Sequence, residues 1–133
     1  MVLLVLLVLA LFVMQTLLPG RFREPAPDGV KGIVAENLGN RDHMRPLTVT
    51  GLRAARALAN MQEALPVFLA LALMNMIVTP AAGLAVTGAT VFLIARAIYV
   101  AFYVSGLAVV RTLVWVVAWV GLAMMIVPLL DRI

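Results

Sequence analysis

Arg53, Arg56, Asn60 and Glu63 follow one another at steps of three, four and three, and Arg96, Tyr99 and Tyr103 at steps of three and four. At about 3.6 residues per turn each set shares one face of a helix. Both sets interrupt apolar runs, where an ionised side chain costs about 2.5 to 3.5 kcal/mol at mid-bilayer and needs a partner. Glu63 is the deepest of its set, and an unpaired carboxylate there would neutralise, so an arginine is its expected partner. The economical arrangement sets the two faces against each other, with Arg96 level with Glu63 and Tyr103 near Arg53 or Arg56. Pro66, three residues beyond Glu63, frees a carbonyl and predicts a bend at the base of the stripe. Two readings stay open. Such residues can join helices through hydrogen bonds alone, without chemistry. Alternatively, Arg53, Arg56, Arg96 and the nearby Arg111 bring four positive charges toward one carboxylate, an excess that an anionic ligand would relieve. A tripeptide with two carboxylates, such as glutathione, would suit that face.

Other chemistries lose support from what the chain lacks. There is no cysteine, and His43 is the only histidine, so thiolate and multi-histidine metal sites within one chain are excluded. No Gly-rich phosphate loop, GxSxG elbow or carboxylate cluster for metal-assisted hydrolysis is present. Ser105 has no histidine nearby in sequence, and Met74, Met76, Met124 and Met125 read as packing or lipid-facing residues.

The elements that must position these residues follow from composition. Of the 133 residues 65% are hydrophobic and 12% charged, and the mean hydropathy is +1.12. Six acidic and ten basic residues cannot cover a soluble domain of this size, whereas lipid accepts apolar side chains outward. A bilayer core of about 30 Å asks for about 20 apolar residues per helix. Four segments meet that measure, at residues 2–18, 51–79, 84–104 and 109–130. The fold predicted is all-α, an integral membrane four-helix up-down bundle with a polar loop over residues 19–50, in a single domain of residues 1–133. That loop, with Pro25, Pro27, Pro46, Gly29, Gly32 and Gly39, reads as a solvated connector or as a partly ordered lid. Its most polar part is Asn40 to His43, and Thr48 or Thr50 is the expected cap of the second helix.

The first segment lacks a preceding Lys or Arg and a small-residue cleavage site, so it reads as a retained span and not a signal peptide. The net charge of +4 is not a nucleic-acid signature, because the basic residues form no long patch interleaved with aromatics. Arg21, Arg23, Lys31, Arg41 and Arg45 lie in the first loop and Arg111 follows the third helix, while the connection around Pro80 to Gly83 carries none. The positive-inside rule then puts the first and third connections in the cytoplasm and both termini on the other side.

The run Arg56-Ala57-Leu58-Ala59-Asn60-Met61-Gln62-Glu63-Ala64-Leu65-Pro66-Val67-Phe68 resembles the RxxxNxxExxPxF signature of the MAPEG superfamily, the membrane-associated proteins in eicosanoid and glutathione metabolism. Asn37 to Asp42 with Pro46-Leu47-Thr48 is similar to the loop of bacterial, microsomal-glutathione-transferase-like members. Arg96, Tyr99, Tyr103, Gly106, Arg111 and Trp115 are similar to their third helix and the turn after it. The resemblance implies a homotrimer in a bacterial inner membrane, with glutathione as co-substrate between adjacent subunits and an apolar electrophile arriving through the lipid. By resemblance Arg56, Asn60, Glu63, Arg96 and Tyr103 contact glutathione, while Arg53 and Tyr99 share their faces. Arg111 sits near the arginine that stabilises the thiolate, which makes it the expected catalytic residue of a transferase or peroxidase. The stretch from Tyr103 to Arg111 is about one residue shorter than in some eicosanoid-forming relatives. Thr112 stands where some of those have Ser, and Leu58 and Ala59 replace a basic residue; these departures point away from a specific eicosanoid reaction. The superfamily also contains non-catalytic members that bind lipids or act as scaffolds, which is the rival expectation. A channel is disfavoured by the apolar fourth helix.

Overall fold

In hydrocarbon no water is present to satisfy backbone N–H and C=O groups, so an apolar chain closes its hydrogen bonds within helices. The computed structural model describes residues 1–26, 29–40, 44–80 and 83–132. It contains α1 (Val2–Arg21), α2 (Gly29–Leu38), α3 (Val49–Val78), α4 (Gly83–Ser105) and α5 (Ala108–Leu130). Helices α1, α3, α4 and α5 are long and apolar enough to cross a membrane. Arg41, Asp42 and His43 of the predicted loop lie outside the described residues, as do Pro27 and residues 81–82 of the second connection.

The stretch over 19–50 differs from the expected loop in two ways. Helix α1 continues through Pro19 to Arg21 and closes with the Phe22 N–H on the Pro19 carbonyl; lacking an N–H, Pro19 leaves the Gln15 carbonyl without its helical donor. Residues 29–38 form a further helix, α2. Reading Gly29, Gly32 and Gly39 as breakers concealed it, although Val30, Ile33, Val34 and Leu38 keep helical spacing. Gly29 alone has the left-handed backbone, φ +58°, and it sits at the first position of α2, where the chain turns into the helix.

Around α2 the chain is clasped. Arg23 and Leu47 form an isolated antiparallel bridge, and the Phe22 carbonyl accepts from the Thr48 N–H at 2.9 Å and the Thr48 hydroxyl at 2.8 Å. Thr48 also caps α3, accepting from the Gly51 N–H at 3.2 Å. The end of α1 and the start of α3 are therefore adjacent, which makes these two helices antiparallel neighbours. Glu36 accepts from the Arg45 backbone N–H at 2.6 Å and from its Nε at 2.7 Å. Arg45 in turn donates to the Glu24 carbonyl, and Arg23 to the Arg45 carbonyl.

Helix α3 supplies the spine. Its buried residues Ala54, Ala57, Met61, Ala64, Leu65, Phe68, Ala72 and Asn75 repeat at three and four residues, a seam that faces α1, α4 and α5. At about 1.5 Å per residue its 30 residues reach about 45 Å, longer than a hydrocarbon core of about 30 Å. Phe68 stacks on Phe92 of α4 with ring centroids 4.8 Å apart, and Met61, Ala89, Ala95, Ala118, Leu122 and Met125 complete the core with Val8 of α1. Helices α4 and α5 form a close hairpin crossing at Gly88 and Gly121. A Cβ on Gly88 would fall 2.5 Å from the Gly121 carbonyl oxygen, and one on Gly121 would fall 2.7 Å from that of Gly88. At the far end Asn75 donates to the Met125 carbonyl at 2.8 Å and accepts from the Thr79 hydroxyl at 2.8 Å, tying α3 to α5.

Candidate functional site

The deepest polar contact joins α4 to α3. Arg96 is 1% exposed, and its guanidinium donates to the Asn60 side-chain oxygen at 2.7 Å and the Asn60 carbonyl at 2.6 Å. Its Nε points at the Met61 sulfur at 3.3 Å, a weak acceptor. The same cation lies over the rings of Tyr99 at 5.2 Å and Phe92 at 5.7 Å. A buried cation is thus held by a neutral amide, a carbonyl and two aromatic faces, contacts that partly replace its lost hydration.

From Arg96 a ladder of rings leads to a second cation. Tyr99 meets Tyr103 edge to face at 5.4 Å, and the Arg111 guanidinium lies 4.5 Å from the Tyr103 ring centroid. Arg111 comes from the first turn of α5, which the Gly106–Leu107 turn brings back against α4. Asn60, Tyr99, Tyr103, Arg111, Thr112 and Trp115 line a cavity of about 200 Å³. The polar spacing points to Asn60, Tyr99 and Tyr103 and the charge excess to Arg111, while Thr112 and Trp115 enter only through the family resemblance. Their spacing from Arg111, one and four residues on, carries the signal, because it places them on the same side of α5.

The second-helix stripe is split. At about 100° per residue, Arg53 lies about 20° to the core side of Asn60, while Arg56 and Glu63 lie about 40° and 60° to the other side. Arg56 and Glu63 are accordingly exposed on the single chain. The arginine expected beside Glu63 is not there. Among the described residues the one ion pair is Arg45 to Glu36, and Arg96 takes Asn60 instead because Glu63 is turned away from α4 at that level. Arg53 is engaged elsewhere: its Nη1 reaches the Val104 carbonyl at 3.5 Å and lies over Gly106. Gly106 has φ +84°, and a Cβ there would be 2.6 Å from Arg53 Nη1. A cation at the carbonyl end of α4 complements the helix dipole, and Arg53 is not part of the cavity lining.

Outside the spans one carboxyl is perturbed. The hydrogen bonds from the Arg45 side chain and backbone hold Glu36 below its ordinary value. No group of three or more His, Cys, Asp and Glu that could hold a metal is found among the described residues.

Four spans packed as a bundle, with a polar cavity between the second, third and fourth of them, define a multi-pass membrane protein. The sequence model of the MAPEG family matches residues 1–130, and the chain belongs to that family. No curated protein and no solved structure matches it. Family membership places the chain among membrane proteins associated in general with glutathione and eicosanoid metabolism.

Proposed function

We propose that the protein is a glutathione-dependent transferase or peroxidase acting on apolar electrophiles, and that it works as a homotrimer with its site between adjacent copies. The observation that carries this reading is the fixed Arg111 cation on the wall of a polar cavity that opens off the membrane-spanning bundle. A cation beside a sulfur favours thiolate over thiol, and the thiolate is the nucleophile. In conjugation the thiol proton passes to water and the sulfur forms a bond to the electrophilic carbon, either as a leaving group departs with its bonding pair or, at an activated double bond, as the π pair shifts to the adjacent carbon, which then takes up a proton. In peroxide reduction the sulfur takes the terminal oxygen and the alcohol departs; a second glutathione then displaces water and leaves the disulfide.

Size supports the intersubunit arrangement. About 200 Å³ is less than the roughly 300 to 1,000 Å³ of ordinary small-molecule sites, so a tripeptide needs a second wall. Arg56 and Glu63, exposed one turn to either side of Asn60, supply a cation and an anion for the ligand's termini once a neighbouring copy encloses them. Charge distribution supports a cytoplasm-facing site and both termini on the opposite side of a bacterial inner membrane, because Arg111 lies near the same end of the bundle as Arg21, Arg23 and Arg45.

The test is glutathione binding by the purified protein, followed by conjugation of a chromogenic electrophile. Saturable binding with turnover is expected. Absence of binding at millimolar glutathione removes the reading, and binding without turnover on electrophiles or hydroperoxides leaves a non-catalytic family member.

A further inference from the structure

Helix α2 has apolar side chains that nothing among the described residues covers. Among the described residues it packs against none of the four long helices. Ile33 is 40%, Val34 48% and Leu38 84% exposed, and at about 100° per residue the three fall within an arc of about 140°. A lone ten-residue helix containing two glycines is marginal in water, since nucleation is costly and most helical stability comes from burying one face. The position of α2 indicates what buries it. The Arg23–Leu47 bridge joins the end of α1 to the approach to α3, and the two hydrogen bonds from Arg45 to Glu36 tether α2 beside that junction. The junction lies at the end of the first membrane-length helix and the start of the second.

We propose that α2 is an interfacial helix, which lays Ile33, Val34 and Leu38 into the boundary between headgroups and acyl chains of the bilayer that the other four helices cross. The clasp sets its height. Glu36 lies about 60° outside the apolar arc, so the tether holds α2 by its polar side and leaves the apolar side free to enter lipid. Lys31 lies at the edge of that arc and is exposed, as is Arg21 at the end of α1; both are placed for anionic headgroups, Lys31 by extending its stem over the apolar surface. A second copy of the chain is the competing cover, but the clasp is made within one chain and ties α2 to the α1–α3 junction whether or not copies associate. The inference stands apart from the proposed glutathione chemistry.

The absence of native cysteine makes the test direct. Leu38→Cys, Val34→Cys and, as a water-facing reference beyond the helix, Asn40→Cys are each labelled with an environment-sensitive fluorophore. The full chain is then placed in vesicles of phosphatidylcholine with phosphatidylglycerol. Lipids brominated close to the headgroup are expected to quench the labels at positions 34 and 38, and aqueous iodide to quench them several-fold less than the label at position 40. Iodide quenching equal to that at position 40 would put α2 in water and overturn the proposal. Protection from both quenchers would also overturn it, in favour of burial against a second copy.

Discussion

At the scale of single residues, the two arginines nearest the cavity have different expected roles. Arg111 faces the space where a sulfur would sit, so Arg111→Ala should lower kcat by roughly 100-fold, the order found when one charge-stabilising donor is removed. The KM for glutathione should change little, and steady-state kinetics at fixed electrophile separates the two. Arg96 is buried against Asn60 and acts on the cavity through it. Asn60→Leu leaves that cation without its amide acceptor and should cost about 3 kcal/mol. Arg96→Met removes the charge itself and should cost less; thermal unfolding in detergent ranks the two. Gln15 makes an opposite case. It is 2% exposed, and among the described residues neither its amide oxygen nor its nitrogen has a hydrogen-bond partner. Gln15→Met is therefore expected to raise stability by about 1 kcal/mol, since an apolar group of similar shape removes an unsatisfied burial. The spacing of Arg53, Arg56, Asn60 and Glu63 made one polar face legible in the sequence. The split of that face did not follow from the steps, because offsets of 40° and 60° decide between core and surface only once the position of α4 is known.

At the scale of elements, apolar length was enough to find four of the five helices, since lipid leaves a long hydrophobic segment no other structure to adopt. Helix α2 escaped because its glycines resemble turn signals and its face is short. Its attachment has a pH dependence whose sign is fixed by Glu36. The folded carboxyl titrates below its ordinary value, so its contribution is complete above the ordinary carboxylate range and is lost as the pH falls through the folded value. Protection factors for amide exchange across residues 29–38, taken relative to the intrinsic rate at each pH, should therefore fall in acid, and in Glu36→Gln they should be low already at neutral pH. The α4–α5 crossing is the other sensitive joint. Gly121→Ala puts a methyl group against the Gly88 carbonyl and the Phe92 backbone. It should lower stability by about 1 to 3 kcal/mol, read as a drop in Tm.

For the whole molecule, the exposed Glu63, halfway along α3, makes an isolated chain a poor guest in lipid, because a charge at mid-bilayer costs about 2.5 to 3.5 kcal/mol unless a neighbour receives it. Chemical cross-linking in membranes should give a ladder ending at three copies, and Glu63→Gln should weaken that association or the glutathione affinity. One more property of the assembled bundle follows from Arg53. Helix α3 contributes Asn60 to one wall of the cavity, and through Arg53 it also grips the Gly106 turn from which Arg111 hangs. Both walls of the cavity thus touch α3, one directly and the other through a single long contact at 3.5 Å, and displacing Arg53 would free the turn that carries Arg111. Gly106→Ala, which pushes that guanidinium away, should accordingly loosen glutathione binding although residue 106 lies outside the cavity lining.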